Sequence, residues 1–156
     1  VERMTGALQS LQKVIDTDQL LALQQAADDV YVDPALMEYA VKLATATRKP
    51  ELVGLGELAP FISYGASPRA SINLILTARA LAFLRGRAYA LPQDVSDLAL
   101  DVIRHRLTLS YEALAENMSS DDVLNRIFNA VPQPEIPLHE RQYALDGSPN
   151  YSHSNA

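Results

Sequence analysis

The chain has 156 residues, 48% of them hydrophobic, enough for one domain with a packed core and too few for two. Nineteen acidic residues against 13 Lys and Arg leave a net charge of −6, which argues against a nucleic-acid surface built on clustered cations. The lack of cysteine removes disulfides, thiolate metal sites and thiol nucleophiles together, and suits a cytoplasmic protein.

No apolar run reaches the roughly 18 residues a membrane-spanning helix needs. The start, Val1-Glu2-Arg3-Met4, carries no signal-peptide pattern and no initiator Met, as expected of a sequence that begins partway through a longer protein.

Helical spacing dominates from the first residues onward. Met4, Leu8, Leu11 and Ile15 predict a short first helix, and Asp18 is a candidate N-cap for a second, with Leu20, Leu23, Ala27 and Val30 on one face. Asp33-Pro34 is a stronger start signal, because a carboxylate caps free N–H groups and Pro fits the first turn. That helix should run to Thr47 with Leu36, Ala40, Leu43 and Thr47 inward. Pro50, Gly54 and Gly56 mark Arg48 to Gly56 as a loop, and Glu57 to Tyr64 reads as a short helix or turn.

Ser67-Pro68 opens the most apolar helix, from Pro68 to Arg85. Ile72, Leu74, Ile75, Leu76, Leu81, Phe83 and Leu84 lie on several of its faces, so it is expected to be central and buried. Gly86 ends it. Pro92 begins the next, with a stripe of Val95, Leu98, Ala99, Val102 and Ile103. Asp94 and Asp97 near its start and Arg104, His105 and Arg106 at its end complement the helix dipole. Ser119 or Ser120 caps the last helix, where Asp122 stands at capping-box spacing from Ser119 and Val123, Leu124, Ile127, Phe128 and Val131 would dock it. Val30 to Val32, Ala88 to Leu91 and Leu107 to Tyr111 are strand-like. From Pro132 the chain turns rich in Pro, Ser and Asn and reads as a tail.

Little here resembles catalytic machinery. His139 and His153 lie in the expected tail, and His105 between two arginines reads as a partner for terminal helix carbonyls. Gly54-Leu55-Gly56-Glu57-Leu58-Ala59 matches a dinucleotide fingerprint formally, but no strand precedes it and Pro60 interrupts the helix that should come after it. No phosphate loop of the G-x-x-x-x-G-K-[ST] type occurs, nor an apolar strand ending in Asp-Glu, so the chain lacks the usual means of cleaving a nucleoside triphosphate. Asn117-Met118-Ser119 and Asn150-Tyr151-Ser152 fit the glycosylation pattern without any sign of secretion.

The most informative stretch is Gly65-Ala66-Ser67-Pro68-Arg69-Ala70: a turn, an N-cap, a Pro in the first helical turn and an Arg directly after it. A cation at a helix N-terminus opposes the dipole. Either Arg69 pairs with a nearby carboxylate, or backbone N–H groups and the guanidinium converge on a phosphate.

These six residues resemble the lid motif of MoxR-family AAA+ ATPases. Ala78-Arg79-Ala80, Gly86-Arg87-Ala88-Tyr89, Pro92-Gln93-Asp94-Val95, Arg104-His105-Arg106 and Leu109-Ser110-Tyr111-Glu112-Ala113 come in the family's order, as does Asp121-Asp122-Val123 through Pro132. The resemblance covers Asp18 to Pro132 and implies a mainly α, compact helical bundle of the AAA+ lid type with a minor two- or three-stranded β element. It divides the chain into a connecting segment (1–17), the lid (18–131) and a tail (132–156) that extends beyond the usual family ending.

It further implies that Arg69 is the sensor-2 arginine, reaching the γ-phosphate of ATP bound with magnesium by a core domain, and that Ser67 and Pro68 set the helix start that aims it. Catalytic residues and metal ligands would belong to that core, so none is expected here, and the chain alone is not expected to be an enzyme. The implied partners are its own core, neighbouring subunits of a hexameric ring and a von Willebrand factor A-domain protein, with no nucleic acid or membrane. The implied activity is chaperone-like remodelling or maturation of client proteins. Two other readings compete: a stand-alone helical interaction module, and a helix-turn-helix DNA binder using Arg104-His105-Arg106, which the acidic charge disfavours.

Overall fold

The computed structural model describes residues 12–135. Most of the expected first helix, and the tail from residue 136 with His139, His153 and Asn150, therefore lie outside the described residues.

Helix α1 (Thr17–Asp28) is capped by Asp16, not Asp18. Asp16 accepts from the Gln19 amide at 2.8 Å while Gln19 Oε1 accepts from the Asp16 amide at 2.9 Å, a reciprocal box that closes both groups. Asp18 has Leu21 at the corresponding position and cannot form one. The helix buries no residue, and Leu20 and Leu23, expected inward, are 45% and 43% exposed.

Helix α2 (Pro34–Ala46) starts where Asp33 accepts from the Ala35 amide at 2.7 Å. Leu36, Ala40, Leu43 and the following Thr47 are fully buried, as their spacing predicts. Two short 3₁₀ turns come next, Pro50–Val53 and Gly56–Phe61, and Gly54 closes the first at φ +77°, where a side chain would be strained. This is the local structure of the Gly54-Leu55-Gly56 segment.

Helix α3 (Pro68–Leu84) packs against α1, α2 and the next helix, so it is central. It is not buried all round. Ala70, Leu74, Ala78 and Ala82 form the buried stripe, while Ile72, Leu76 and Leu84 face outward at 58%, 48% and 80% exposure. Small residues on the inner stripe let neighbouring helices approach closely, and the larger apolar side chains are left on the far side. Gly86 ends the helix in the left-handed region.

Helix α4 (Pro92–Ile103) buries Val95, Ala99, Val102 and Ile103 and passes into a 3₁₀ turn at Arg104–Arg106. Helices α5 (Tyr111–Ala115) and α6 (Ser120–Ala130) complete the fold. The Ser119–Asp122 box forms, and Val123, Leu124 and Ile127 dock α6 in the core.

The β element has two strands. β1 (Ile62–Tyr64) pairs antiparallel with β2 (Thr108–Leu109), Ile62 opposite Leu109 and Tyr64 opposite Thr108. The β1 segment, expected as helix or turn, is extended because its partner lies far along the chain. The other two strand-like segments meet in a single parallel bridge between Tyr31 and Tyr89. No described helix is long and apolar enough to cross a membrane.

Candidate functional site: the start of helix α3

Ser67 occupies the N-cap position of α3 in extended geometry, with Pro68 in the first turn, but its side chain accepts no hydrogen bond from that turn. At the starts of α1, α2 and α6 the capping side chain does accept one. Pro68 has no N–H and the Ala70 N–H donates to the Ser67 carbonyl at 2.9 Å, so the Arg69 N–H is the first-turn donor left without a local acceptor.

Arg69 comes directly after and is exposed. It forms no ion pair or hydrogen bond with another described residue. The carboxylate partner that the sequence left open as one reading is absent among the described residues. By contrast, Arg48, Arg85, Arg87, Arg104, Arg106 and Arg126 each reach a protein oxygen, while Arg79, also on α3, shares the lack of a partner among the described residues but is half-buried. Ser67, Pro68 and Arg69 form one exposed edge, behind which Ala66 and Ala70 are fully buried.

The end of α2 holds that edge from behind. Thr47 Oγ1, fully buried, donates to the Ala44 carbonyl at 2.7 Å and accepts from the Ala66 amide at 2.8 Å. Arg48 donates through Nη1 to the Ala66 carbonyl at 2.5 Å and through Nη2 to Thr45 Oγ1 at 3.2 Å. Gly65 lies so close that a Cβ there would stand 2.3 Å from the Thr47 carbonyl oxygen, so only glycine fits. The inward face of Thr47 was legible from helical spacing. The work of its hydroxyl, and that of Arg48, was not, because their partner lies across the fold.

A second polar cluster joins the end of α3 to the start of α4. Asp94, expected only to complement the helix dipole, is fully buried. It accepts from Arg85 Nη1 at 2.7 Å, from Arg87 Nη2 and Nη1 at 2.6 and 2.8 Å, and from the Leu91 amide at 2.8 Å. Burial pushes its carboxyl up, but the hydrogen bonds from Arg87 and the Leu91 amide, with the charges behind them, outweigh this and hold it below the ordinary value. Asp97, bonded by Gln93 and Arg85, is held low as well. The signal for this cluster is Arg85-Gly86-Arg87 placed just before a Pro-x-Asp helix start.

The basic triplet at the end of α4 is tied to the protein itself. Arg104 pairs with Asp121 at 2.5 Å, and Arg106 Nε donates to the Val102 carbonyl at 3.1 Å, the terminal-carbonyl role expected of His105. His105 is exposed. No group of three or more His, Cys, Asp or Glu among the described residues is arranged to hold a metal ion.

Residues 58–127 match the family model of the AAA lid domain. The chain is 42% identical over 136 residues to Chaperone MoxR1 of Mycobacterium tuberculosis, covering 87% of this chain and 36% of that protein. It is 36% identical over 110 residues to Protein MoxR of Paracoccus denitrificans, covering 67% of this chain and 32% of that one. The crystal structure of a proposed ATPase from Cytophaga hutchinsonii superposes with a TM-score of 0.76 at 37% identity, over 80% of this chain and 38% of that one. The chain thus spans about a third of the length of these relatives. Helix order, the small two-stranded sheet and these likenesses agree: the chain belongs to the MoxR family of AAA+ proteins and carries the AAA lid domain.

Proposed function

We propose that this lid carries Arg69 to the γ-phosphate of ATP held by a nucleotide-binding core, and that ATP turnover there drives chaperone-like remodelling of client proteins. The observation that carries the reading is an exposed arginine without a partner among the described residues, on a helix start where no side chain caps its own N–H. A cation at this end of a helix is disfavoured by about 0.3–1 kcal/mol unless an anion joins it. A phosphate oxygen resolves both problems at once, accepting from the backbone and from the guanidinium.

The donors present fit one edge of a phosphate. Magnesium, and the chemistry of activating and cleaving the terminal phosphate, would be supplied with the core. What this chain contributes is position: Ser67 and Pro68 begin the helix, and Arg69 projects from its first turn. Contact with the γ-phosphate favours the closed lid, and loss of that phosphate releases it, which makes the lid a rigid body driven by hydrolysis. On this reading the partners are the lid's own core, the neighbouring subunits of a hexameric cytoplasmic ring, and a von Willebrand factor A-domain protein that links the ring to its clients.

The test is Arg69→Ala in the intact protein. ATP turnover should fall at least about tenfold, in the range expected for losing one preorganised charge contact. The melting temperature of the lid should not change. Unaltered turnover, or a lid that melts at markedly lower temperature, would overturn the assignment.

A further inference from the structure

We infer that Thr47 and Arg48 are positioning residues for Arg69, gripping the Ala66 peptide from the end of α2 and so setting the direction in which α3 begins. The inference rests on the reading of Arg69 as the phosphate-contacting residue.

Both polar groups of Ala66 are held by two adjacent residues in the turn that closes α2. Its N–H goes to Thr47 Oγ1 and its carbonyl to Arg48 Nη1. The Thr47 hydroxyl has little freedom, because its own proton is committed to the Ala44 carbonyl inside α2. Arg48 is steadied in turn by Thr45. Gly65 brings the two backbones into contact over the Thr47 carbonyl, with no room for even a methyl group between them.

This grip stands where a local device is missing. In many helices the N-cap side chain accepts from the first turn and so ties the entering chain to it. Ser67 makes no such bond, so the start of α3 is oriented from across the fold. Thr47 and Arg48 also lie outside the stretch 58–127 that matches the lid family model, while the helix start they hold lies inside it. The end of α2 and the first turn of α3 therefore move as one body, and a displacement of α2 is delivered to Arg69.

Turnover and amide exchange in the intact protein test this. Thr47→Val removes the hydroxyl at nearly constant volume, and Arg48→Ala removes the second grip from an exposed residue, the melting temperature of each variant checking that it is folded. Each should lower kcat for ATP by about tenfold with a smaller change in KM, since displacing a catalytic contact by about 1 Å can cost as much as a hundredfold. The Ala66 amide should exchange faster in Thr47→Val. Thr47→Ser, which keeps the hydroxyl, should recover most of the loss.

Combined with Arg69→Ala, neither variant should lower kcat beyond the level of Arg69→Ala alone. Losses that multiply in the double variants would show that Thr47 and Arg48 act independently of Arg69, and would overturn the inference. Full turnover in both Thr47→Val and Arg48→Ala, beside a loss in Arg69→Ala, would overturn it while leaving the role of Arg69 standing. Full turnover in Arg69→Ala would remove both.

Discussion

Helices α3 and α4 begin with the same device, a residue in extended geometry followed by Pro in the first turn, and they use it in opposite ways. At α4 the charged residue of the first turn is Asp94, buried, bonded to the Leu91 amide and enclosed by Arg85 and Arg87. At α3 it is Arg69, exposed and without a partner among the described residues. One helix start is closed on the protein's own charges and welds α3 to α4. The other, with the wrong sign of charge for its dipole, is left open. At α4 the charge complements its helix end and is used in the fold, whereas at α3 it opposes the helix end and no described residue neutralises it.

The sharpest way to break this contrast is Asp94→Ala. It leaves Arg85 and Arg87 facing each other without their shared anion, and should cost about 3–5 kcal/mol, the usual loss when one member of a buried charge cluster is removed. Denaturant unfolding of the two proteins measures it. The pH dependence gives the sign. Because the folded carboxyl is held below its ordinary value of 3.8, its contribution is present above that value and is lost as the pH falls below it. The gap between wild type and variant should therefore be constant near neutrality and narrow below about pH 4. A gap that persists unchanged in acid would mean that packing, not charge, makes Asp94 important.

Legibility in the sequence divides along the same line, between local and distant. Helix starts written within a few residues were legible: Asp33-Pro34, and Ser119 with Asp122. Asp16 and Asp18 are both acidic candidates for the start of α1, and only the reciprocal bond with Gln19 decides for Asp16. Features that depend on partners across the chain were not legible, such as β1 finding β2, or Arg48 finding Ala66. Asp94 looked like an ordinary first-turn acid because its burial is a property of how α3 ends against α4. The edge at Ser67, Pro68 and Arg69 was singled out by a local conflict, a cation on the wrong end of a helix, and by family likeness. Its supports, Thr47 and Arg48, were invisible to both.

An open helix start can aim a charge only if the helix behind it is fixed. Leu74 on the inner face of α3 is fully buried, and Leu74→Ala should cost about 2–5 kcal/mol. Leu76, which the apolar pattern of the helix placed in the core, is 48% exposed, and Leu76→Ala should cost only about 1 kcal/mol, in proportion to the area it covers. Thermal or denaturant unfolding of the pair decides between a helix anchored along one stripe and one buried on every side. Equal losses would mean that the outer face is also packed, so that the helix carrying Arg69 is buried more deeply than its exposed start implies.

The smallest effect bears most directly on the open end. Ser119 and Ser67 hold the same N-cap position, but the Ser119 hydroxyl accepts from the Asp122 amide at 3.2 Å while Ser67 caps nothing. Ser119→Ala should therefore destabilise by about 1 kcal/mol. Ser67→Ala should stay within about 0.5 kcal/mol of wild type, as for a surface change that removes no bond. If Ser67→Ala costs as much as Ser119→Ala, the hydroxyl does cap α3 in solution, and an anion reaching Arg69 must first displace it from the N–H groups. If it costs nothing, the Arg69 N–H is free to receive a phosphate oxygen, and no side chain of the first turn helps the bonds to Ala66 set the direction of the helix start.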